Sequence, residues 1–447
     1  MVLDSQNYYL VGLKLINQMI KLNSSPSLSG EITIPSDKSI SHRAALLNSI
    51  AIGKSNILNY SDGEDCLSTI SVLRKLGVKI NLIPKSNSYE LEIESDGLNS
   101  LATPKDKLFA GNSGTTTRLL AGILSFSNFN SILLGDDSLN SRPMKRIIDP
   151  LIMMGANIKS NDNCAPLEFS PSQLNGITYD MSVASAQVKS CIILATLGAK
   201  SKSVITQPAL SRDHTERMLM SMNSDILVNG NEITINPGEI DSVDIEIPGD
   251  ISSAAFWIVA ALIHPKGNVI LRNVGINPLR TGILEVLTKM GGNIEIFNER
   301  EVANEPVADI RVIHSELNGI EIQGDMIPKL IDEIPIIIIA SVIAKGKTII
   351  KDASELRVKE TDRLLAMSEF LKLSNIKHNL LDDGIELDGN SNFIGGTFES
   401  FNDHRISMAI AVSSIISDKE TIINNHEVAS VSYKQFWDHL EKLKIYN

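Results

Sequence analysis

Six times along the chain, a polar turn rich in Gly, Ser or Asp leads into a run of Ala, Ile and Leu with helical spacing. The stretches are SDKSISHRAALLNSIAIGKSNI from 36, GNSGTTTRLLAGILSFSNFNSI from 111, MSVASAQVKSCIILATLGAKSKSVI from 181, GDISSAAFWIVAALIHPKGNVIL from 249, LIDEIPIIIIASVIAKGKTII from 330 and FNDHRISMAIAVSSIISDKETII from 401. Each predicts a helix of about four turns, apolar on nearly every side and therefore buried. Most are followed by a short turn and a β-branched strand. A second, more charged helix lies between successive members, as in CLSTISVLRKLGVKI, LRTGILEVLTKMGGNI and SYKQFWDHLEKL. Alternation in DILVNGNEITI and IEIQG predicts strands.

Recurrence at roughly seventy to eighty residues marks an internally repeated α/β architecture, with buried helices under sheets. The 447 residues carry too much apolar material for one core. Three units in each of two lobes is the economical partition. The natural crossings are EITIPSDK and VDIEIPGD, where a strand, a proline and a polar turn coincide. Residues 36–248 would then form one lobe, and residues 30–35 with 249–447 the other. Two connections restrict relative motion to hinge-like closure, with helix N-termini facing the gap. Residues 1–29 are expected to be an extension, with an amphipathic helix in LVGLKLINQMI and a linker in NSSPSLSG.

Composition narrows the partners. Aromatics are only 4%, too few for the stacking platforms of single-stranded nucleic-acid binders. A formal charge of −12 opposes nucleic acid and anionic membranes, yet leaves a local cationic pocket possible. Cys66, Cys164 and Cys191 follow no ligand spacing, which fits a reducing, cytoplasmic setting without disulfides. The most apolar run, Ile334 to Ala344, is too short for a bilayer. The first residues lack the features of a secretory signal, and Asp4 without any arginine is unlike a transit peptide.

The candidate chemistry sits at the helix starts. Lys38, Ser39 and Arg43 flank the first; Asn112, Ser113, Gly114, Thr115 and Arg118 the second. Ser185, Gln187 and Lys189 mark the third, Asp332 and Glu333 the fifth, and Asp403, His404 and Arg405 the sixth. Exposed amides beside such cations make an anion seat, although Ser and Asp at these positions are also ordinary caps. Arg142, Ser211, Arg212, Arg357, Lys359, Glu360 and Arg363 lie in further polar segments. Several cations, with arginine binding bidentately, suit two or more anionic groups. Asp332 or Glu360 in a cleft lined with cations would stay ionised and could serve as a base; each is otherwise a dipole partner. GNSGTTTR lacks a Walker lysine and the dinucleotide fingerprint, which disfavours ATP and NAD. His42, His214 and His404 are dispersed and read as structural rather than metal-binding.

SDKSISHR, GNSGTTTRLL, GDDSLNSRPM, SAQVKS, SRDHTERM, RVKETDR and NDHR, in that order, resemble the EPSP synthase family of 3-phosphoshikimate 1-carboxyvinyltransferases. The likeness runs from about residue 29 to about residue 440. It implies the two-lobed enolpyruvyl transferase fold of six repeated units. It also implies a monomer that needs no metal or organic cofactor and has phosphoenolpyruvate and 3-phosphoshikimate as partners. By the same resemblance Lys38 contacts both substrates, and Ser39 and Arg43 hold the shikimate carboxylate. Ser185, Ser211, Arg212 and Lys359 are implied on the acceptor and its phosphate. Gln187 reaches toward the ring and the transferred group. Gly114, Arg142, Arg363 and Arg405 are implied around phosphoenolpyruvate. Asp332 is implied as the base, itself in contact with 3-phosphoshikimate, and Glu360 as the acid, with Lys38 helping in proton and phosphate handling.

Two departures accompany the likeness. Ser185 is followed by Ala186 where some members carry a second serine. Val431 stands where some place a lysine, with Lys434 three residues on. The related transferases acting on UDP-N-acetylglucosamine typically have KN at the opening and a loop cysteine; here the opening is Lys38-Ser39. RNA 3′-phosphate cyclases share the broad architecture without this motif set. A noncatalytic anion-binding protein of the same fold is the remaining alternative.

Overall fold

The computed structural model describes residues 19–446. All six apolar runs are helices: α1 Lys38–Asn48, α2 Gly114–Leu124, α3 Ala186–Leu197, α4 Ile251–Ile263, α5 Ile334–Ile343 and α6 His404–Ser414. They make about three turns rather than four. Ser or Asp side chains cap five of them. Asp37 accepts from Ile40 N (2.8 Å), Ser113 from Thr116 N (3.2 Å) and Ser185 from Val188 N (3.5 Å). Asp250 accepts from Ser252 N (2.9 Å) and Asp403 from Arg405 N (2.8 Å). The ordinary capping reading is therefore right for these residues, and the neighbouring side chains are left to face outward. α5 has no side-chain cap and follows a single 3-10 turn, Ile331–Glu333.

Among the described residues, six sheets accompany the helices. In a typical unit, Leu108–Phe109 runs parallel to Ser131–Leu134, with α2 as the crossover, and Cys164–Ser170 and Asn157–Asn161 add antiparallel strands. Three units borrow a strand from far along the chain. Ser27–Thr33 pairs parallel with Gly267–Gly275, and Ile245–Glu246 with Ile52–Tyr60. Met19–Leu22 pairs antiparallel with Thr421–Asn424 and completes the sixth sheet.

This corrects the reading of the first segment. Ser27 to Gly30, expected in a linker, are strand, and so are Met19 and Ile20 at the end of the expected helix. The rest of LVGLKLINQMI lies outside the described residues. Four residues of alternation cannot be told from a helical turn by pattern alone, and here pairing to residues 421–424 decides.

The buried apolar residues among those described form two clusters, one holding Ile40 through Ile247, the other Leu22 to Ile34 with Ile251 through Leu443. Between them the chain passes twice, side by side. Asp37 N donates to Pro248 O (2.7 Å) and Asp250 N to Pro35 O (2.8 Å). A Cβ on Gly249 would stand 2.7 Å from Asn273 O and 2.9 Å from Ile34 Cβ, so only glycine fits this crossing. The starts of α1 and α4 are thus adjacent, with buried Arg280 bonded to Asp250 (3.2 Å) and Ser252 (2.7 Å) between them. Farther out, His214 meets Glu305 (2.7 Å) and Asn277 donates to Asp213 (2.7 Å), joining the two sides at one edge.

Candidate active site

α1 presents Lys38, whose ammonium lies 3.0 Å from Asp65 on the helix Glu64–Lys75. Burial disfavours its charge, yet the fields of Asp65 and Glu360 outweigh burial and raise its pKa. One turn on, Arg43 donates to Thr215 Oγ1 (2.7 Å), Ser39 O (2.9 Å) and Ser190 Oγ (3.2 Å). All three partners are neutral, and burial pulls the guanidinium down to about 10, where it is still charged at pH 7. Ser39 Oγ itself faces Arg280 Nη1 at 3.5 Å.

Gly114 opens α2 under two guanidiniums. A Cβ there would lie 2.9 Å from Arg118 Nη1 and 3.6 Å from Arg142 Nη1. Arg118 donates to Gln187 Oε1 (2.7 Å), and Gln187 Nε2 donates to Thr115 Oγ1 (3.0 Å). Burial, with help from Arg142, pulls Arg118 down to about 10. Arg142 donates to Asn112 Oδ1 (2.6 Å). Ser185 sits at the start of α3 beside them as its cap. Ser211 is turned into its own lobe, donating to Gln207 Oε1 (2.8 Å), so of the pair only Arg212 reaches the gap.

The facing elements carry the acids. Asp332 rides on the 3-10 turn before α5. Arg363, itself 1% exposed, joins three carboxylates: Glu360 (2.6 Å), Asp403 (2.7 Å) and Asp332 (3.3 Å). Lys359 Nζ is 3.5 Å from Asp332, and Arg212 crosses the gap to its other oxygen at 2.5 Å. Burial would raise the Asp332 carboxyl, but Lys359, Arg212, Arg405 and Arg363 hold it well below the usual range. Burial likewise opposes ionisation of Glu360, and Arg363, with Lys38 and Lys359, overcomes it, leaving that carboxyl also well below its usual range. Among the described residues no hydrogen bond or ion pair takes the side chain of Arg405, which is nine-tenths buried. Burial lowers His404 to about 4, so it is neutral at pH 7.

The gap is bridged at its rim by Arg146–Glu355 (2.9 Å) and Lys434–Asp62 (3.4 Å). Lys434 therefore meets the opposite lobe. Cys66 and Cys191 are buried, and burial pushes both thiols up; Cys164 lies on a strand. Among the described residues no three His, Cys, Asp or Glu side chains are grouped to hold a metal, and no helix is long and apolar enough to cross a membrane.

Residues 22–440 match the family model described as EPSP synthase (3-phosphoshikimate 1-carboxyvinyltransferase). The chain belongs to the EPSP synthase family. A 3-phosphoshikimate 1-carboxyvinyltransferase of Syntrophomonas wolfei is 46% identical over 430 residues, covering 95% of this chain and 100% of the relative. One from Thermodesulfovibrio yellowstonii is 45% identical over 434 residues, covering 96% and 100%. Among solved structures, the EPSP synthase of Acinetobacter baumannii superposes with a TM-score of 0.86 at 39% identity, covering 95% of this chain and 98% of the other. The enolpyruvyl transferase NikO from Streptomyces tendae shares the fold, with a TM-score of 0.76 at 16% identity over 95% and 97% of the two chains.

The structure brings most of the motif residues to one gap, but two contributors escaped notice in the sequence. Asp65 anchors Lys38, and Arg280 ties the two crossings together. Arg118, one of the candidates at the start of α2 but given no role there, orients Gln187. Asp65 and Arg280 carried no signal beyond ordinary acidic and basic positions.

Proposed function

We propose that this cleft transfers the enolpyruvyl group of phosphoenolpyruvate to the 5-hydroxyl of 3-phosphoshikimate, releasing phosphate. The observation that carries the reading is the convergence of Lys38, Arg212, Lys359, Arg363 and Arg405 on two carboxylates, Asp332 and Glu360, from opposite sides of one gap. Two polyanions need such a set of cations, and the addition needs a base and an acid beside one carbon. Arg43 and Ser39 hold the acceptor carboxylate. Arg212, Lys359 and Ser185 take its 3-phosphate, with Ser211 acting through the loop rather than by its hydroxyl. Arg142, Arg363, Arg405 and the bare backbone at Gly114 receive phosphoenolpyruvate, with Lys38 between the substrates and Gln187 over the transferred group.

Glu360, held ionised in the unliganded cleft by Arg363 and Lys38, first takes up a proton, which phosphoenolpyruvate favours by drawing Arg363 onto its own anionic groups. It then passes that proton to the methylene carbon, which makes the neighbouring carbon electrophilic. Asp332 takes the 5-hydroxyl proton, and the oxygen lone pair forms the new C–O bond. The adduct then loses phosphate, which leaves with the proton held by Asp332, and the methyl carbon returns its proton to Glu360, leaving the enol ether. Closure of the lobes keeps water from the adduct. One chain supplies every group named, so a monomer suffices.

The decisive assay is phosphate release that requires both substrates, with detection of the enol-ether product. Release with UDP-N-acetylglucosamine in place of 3-phosphoshikimate, or binding without release, defeats the reading. A further prediction concerns Gly114→Ala. Its methyl would press on Arg118 Nη1 and approach Arg142, a crowding worth about 1–2 kcal/mol. The KM for phosphoenolpyruvate should rise roughly tenfold, with that for 3-phosphoshikimate little changed. An equal rise in both constants would place the damage elsewhere.

A further inference from the structure

Asp332 is paired on both oxygens. Arg212 Nη2 stands 2.5 Å from Oδ2, while Arg363 Nη1 and Lys359 Nζ stand 3.3 Å and 3.5 Å from Oδ1. Arg405 adds its field, and Arg280 also lies within the field of Asp332. A carboxylate engaged this way is a poor base, because its lone pairs are directed at cations and its charge is stabilised by them. Yet the hydroxyl proton must go to this group if the reaction is the one proposed above, on which this inference rests.

The identity of the pairing cations resolves the conflict. Arg212 and Lys359 are the two that the reading above gives to the 3-phosphate of the acceptor. A phosphate near pH 7 carries close to two charges and three acceptor oxygens, so it competes well with a single carboxylate for a guanidinium and an ammonium. Arg212 belongs to the opposite lobe and can turn from one anion to the other without moving Asp332. We propose that Arg212 and Lys359 pass from Asp332 to the 3-phosphate when the acceptor binds, so that the acceptor's own phosphate turns Asp332 from an ion-pair partner into a base. Phosphate recognition then controls turnover as well as affinity, and an unphosphorylated acceptor leaves the base held. Arg363 and Arg405 remain near Asp332 until the second anion engages them.

The test compares the parent, Arg212→Met and Arg212→Lys in phosphate release from phosphoenolpyruvate, with 3-phosphoshikimate and with shikimate at saturation. Arg212→Met should bind 3-phosphoshikimate less well but turn shikimate over roughly tenfold faster than the parent does, the effect of about one pKa unit on a base. Arg212→Lys keeps the charge and should show no such gain. Shikimate turnover in Arg212→Met at or below the parent's makes Arg212 a phosphate ligand only and overturns the exchange. A parent inactive with both acceptors sinks the proposed reaction instead. In that case, or if Arg212→Met does not fold, carbon-13 NMR of carboxyl-labelled aspartate in the parent decides, with the Asp332 signal assigned by its loss in Asp332→Asn. Adding 3-phosphoshikimate should move the Asp332 titration to higher pH, and an unmoved titration overturns the exchange.

Discussion

Asp332→Ala and Glu360→Ala should each lower turnover by at least roughly 100-fold, the usual weight of a positioned acid or base. The two variants should differ in affinity. Removing Asp332 frees Arg212 and Lys359 for other anions, so the KM for 3-phosphoshikimate should hold or fall while kcat collapses. A residue that merely bound substrate would raise KM instead. Glu360 holds Arg363 at 2.6 Å, but Asp403 and Asp332 retain that guanidinium when Glu360 is gone. Its loss should therefore leave the phosphoenolpyruvate site assembled and strike mainly at kcat. Initial rates over both substrates, with circular dichroism to confirm folding, check this. Turnover within threefold of the parent in a folded variant removes the role.

The six core helices could be read from the sequence because three signals agree at each: an apolar run of helical period, a capping Ser or Asp at most starts, and regular recurrence. α5 shows what happens when one is missing. Without a side-chain cap, its start is a 3-10 turn, and that irregular turn carries Asp332. The strands were less legible because their partners are remote. Nothing local in residues 19–22 or 27–33 announces that they complete sheets with residues 421–424 and 267–275. The same distance governs the site. Motifs located Arg212 and Asp332 separately, but their contact spans 120 residues of sequence and two cores. Ser211 is turned inward for a local reason that spelling cannot reveal, its hydroxyl donating to Gln207.

Lys189→Met should destabilise the protein by about 3–5 kcal/mol, because it strands a buried carboxylate. Lys189 and Glu216 are 0% and 2% exposed, and their charges meet at 2.6 Å. Lys189 also donates to Ser211 O (3.1 Å), while Glu216 Oε2 already lacks a partner. This pair ties α3, which carries Gln187, to the helix His214–Ser221 and to the segment that holds Arg212. A cation alone in that position would be costly, and so is the anion left behind. Replacing both, as Lys189→Met with Glu216→Leu, should recover most of the loss, since matched apolar groups avoid the desolvation of either charge. The double variant need not regain activity, because Glu216 also supplies the chief negative field on Arg43. Urea unfolding followed by circular dichroism measures each variant. A loss below about 1 kcal/mol for Lys189→Met, the range of exposed ion pairs, would show that Glu216 finds water or another donor there. The SAQVKS and HTER segments would then be held by the Ser190–Thr215 hydrogen bond (2.7 Å) and by Arg43, which donates to both.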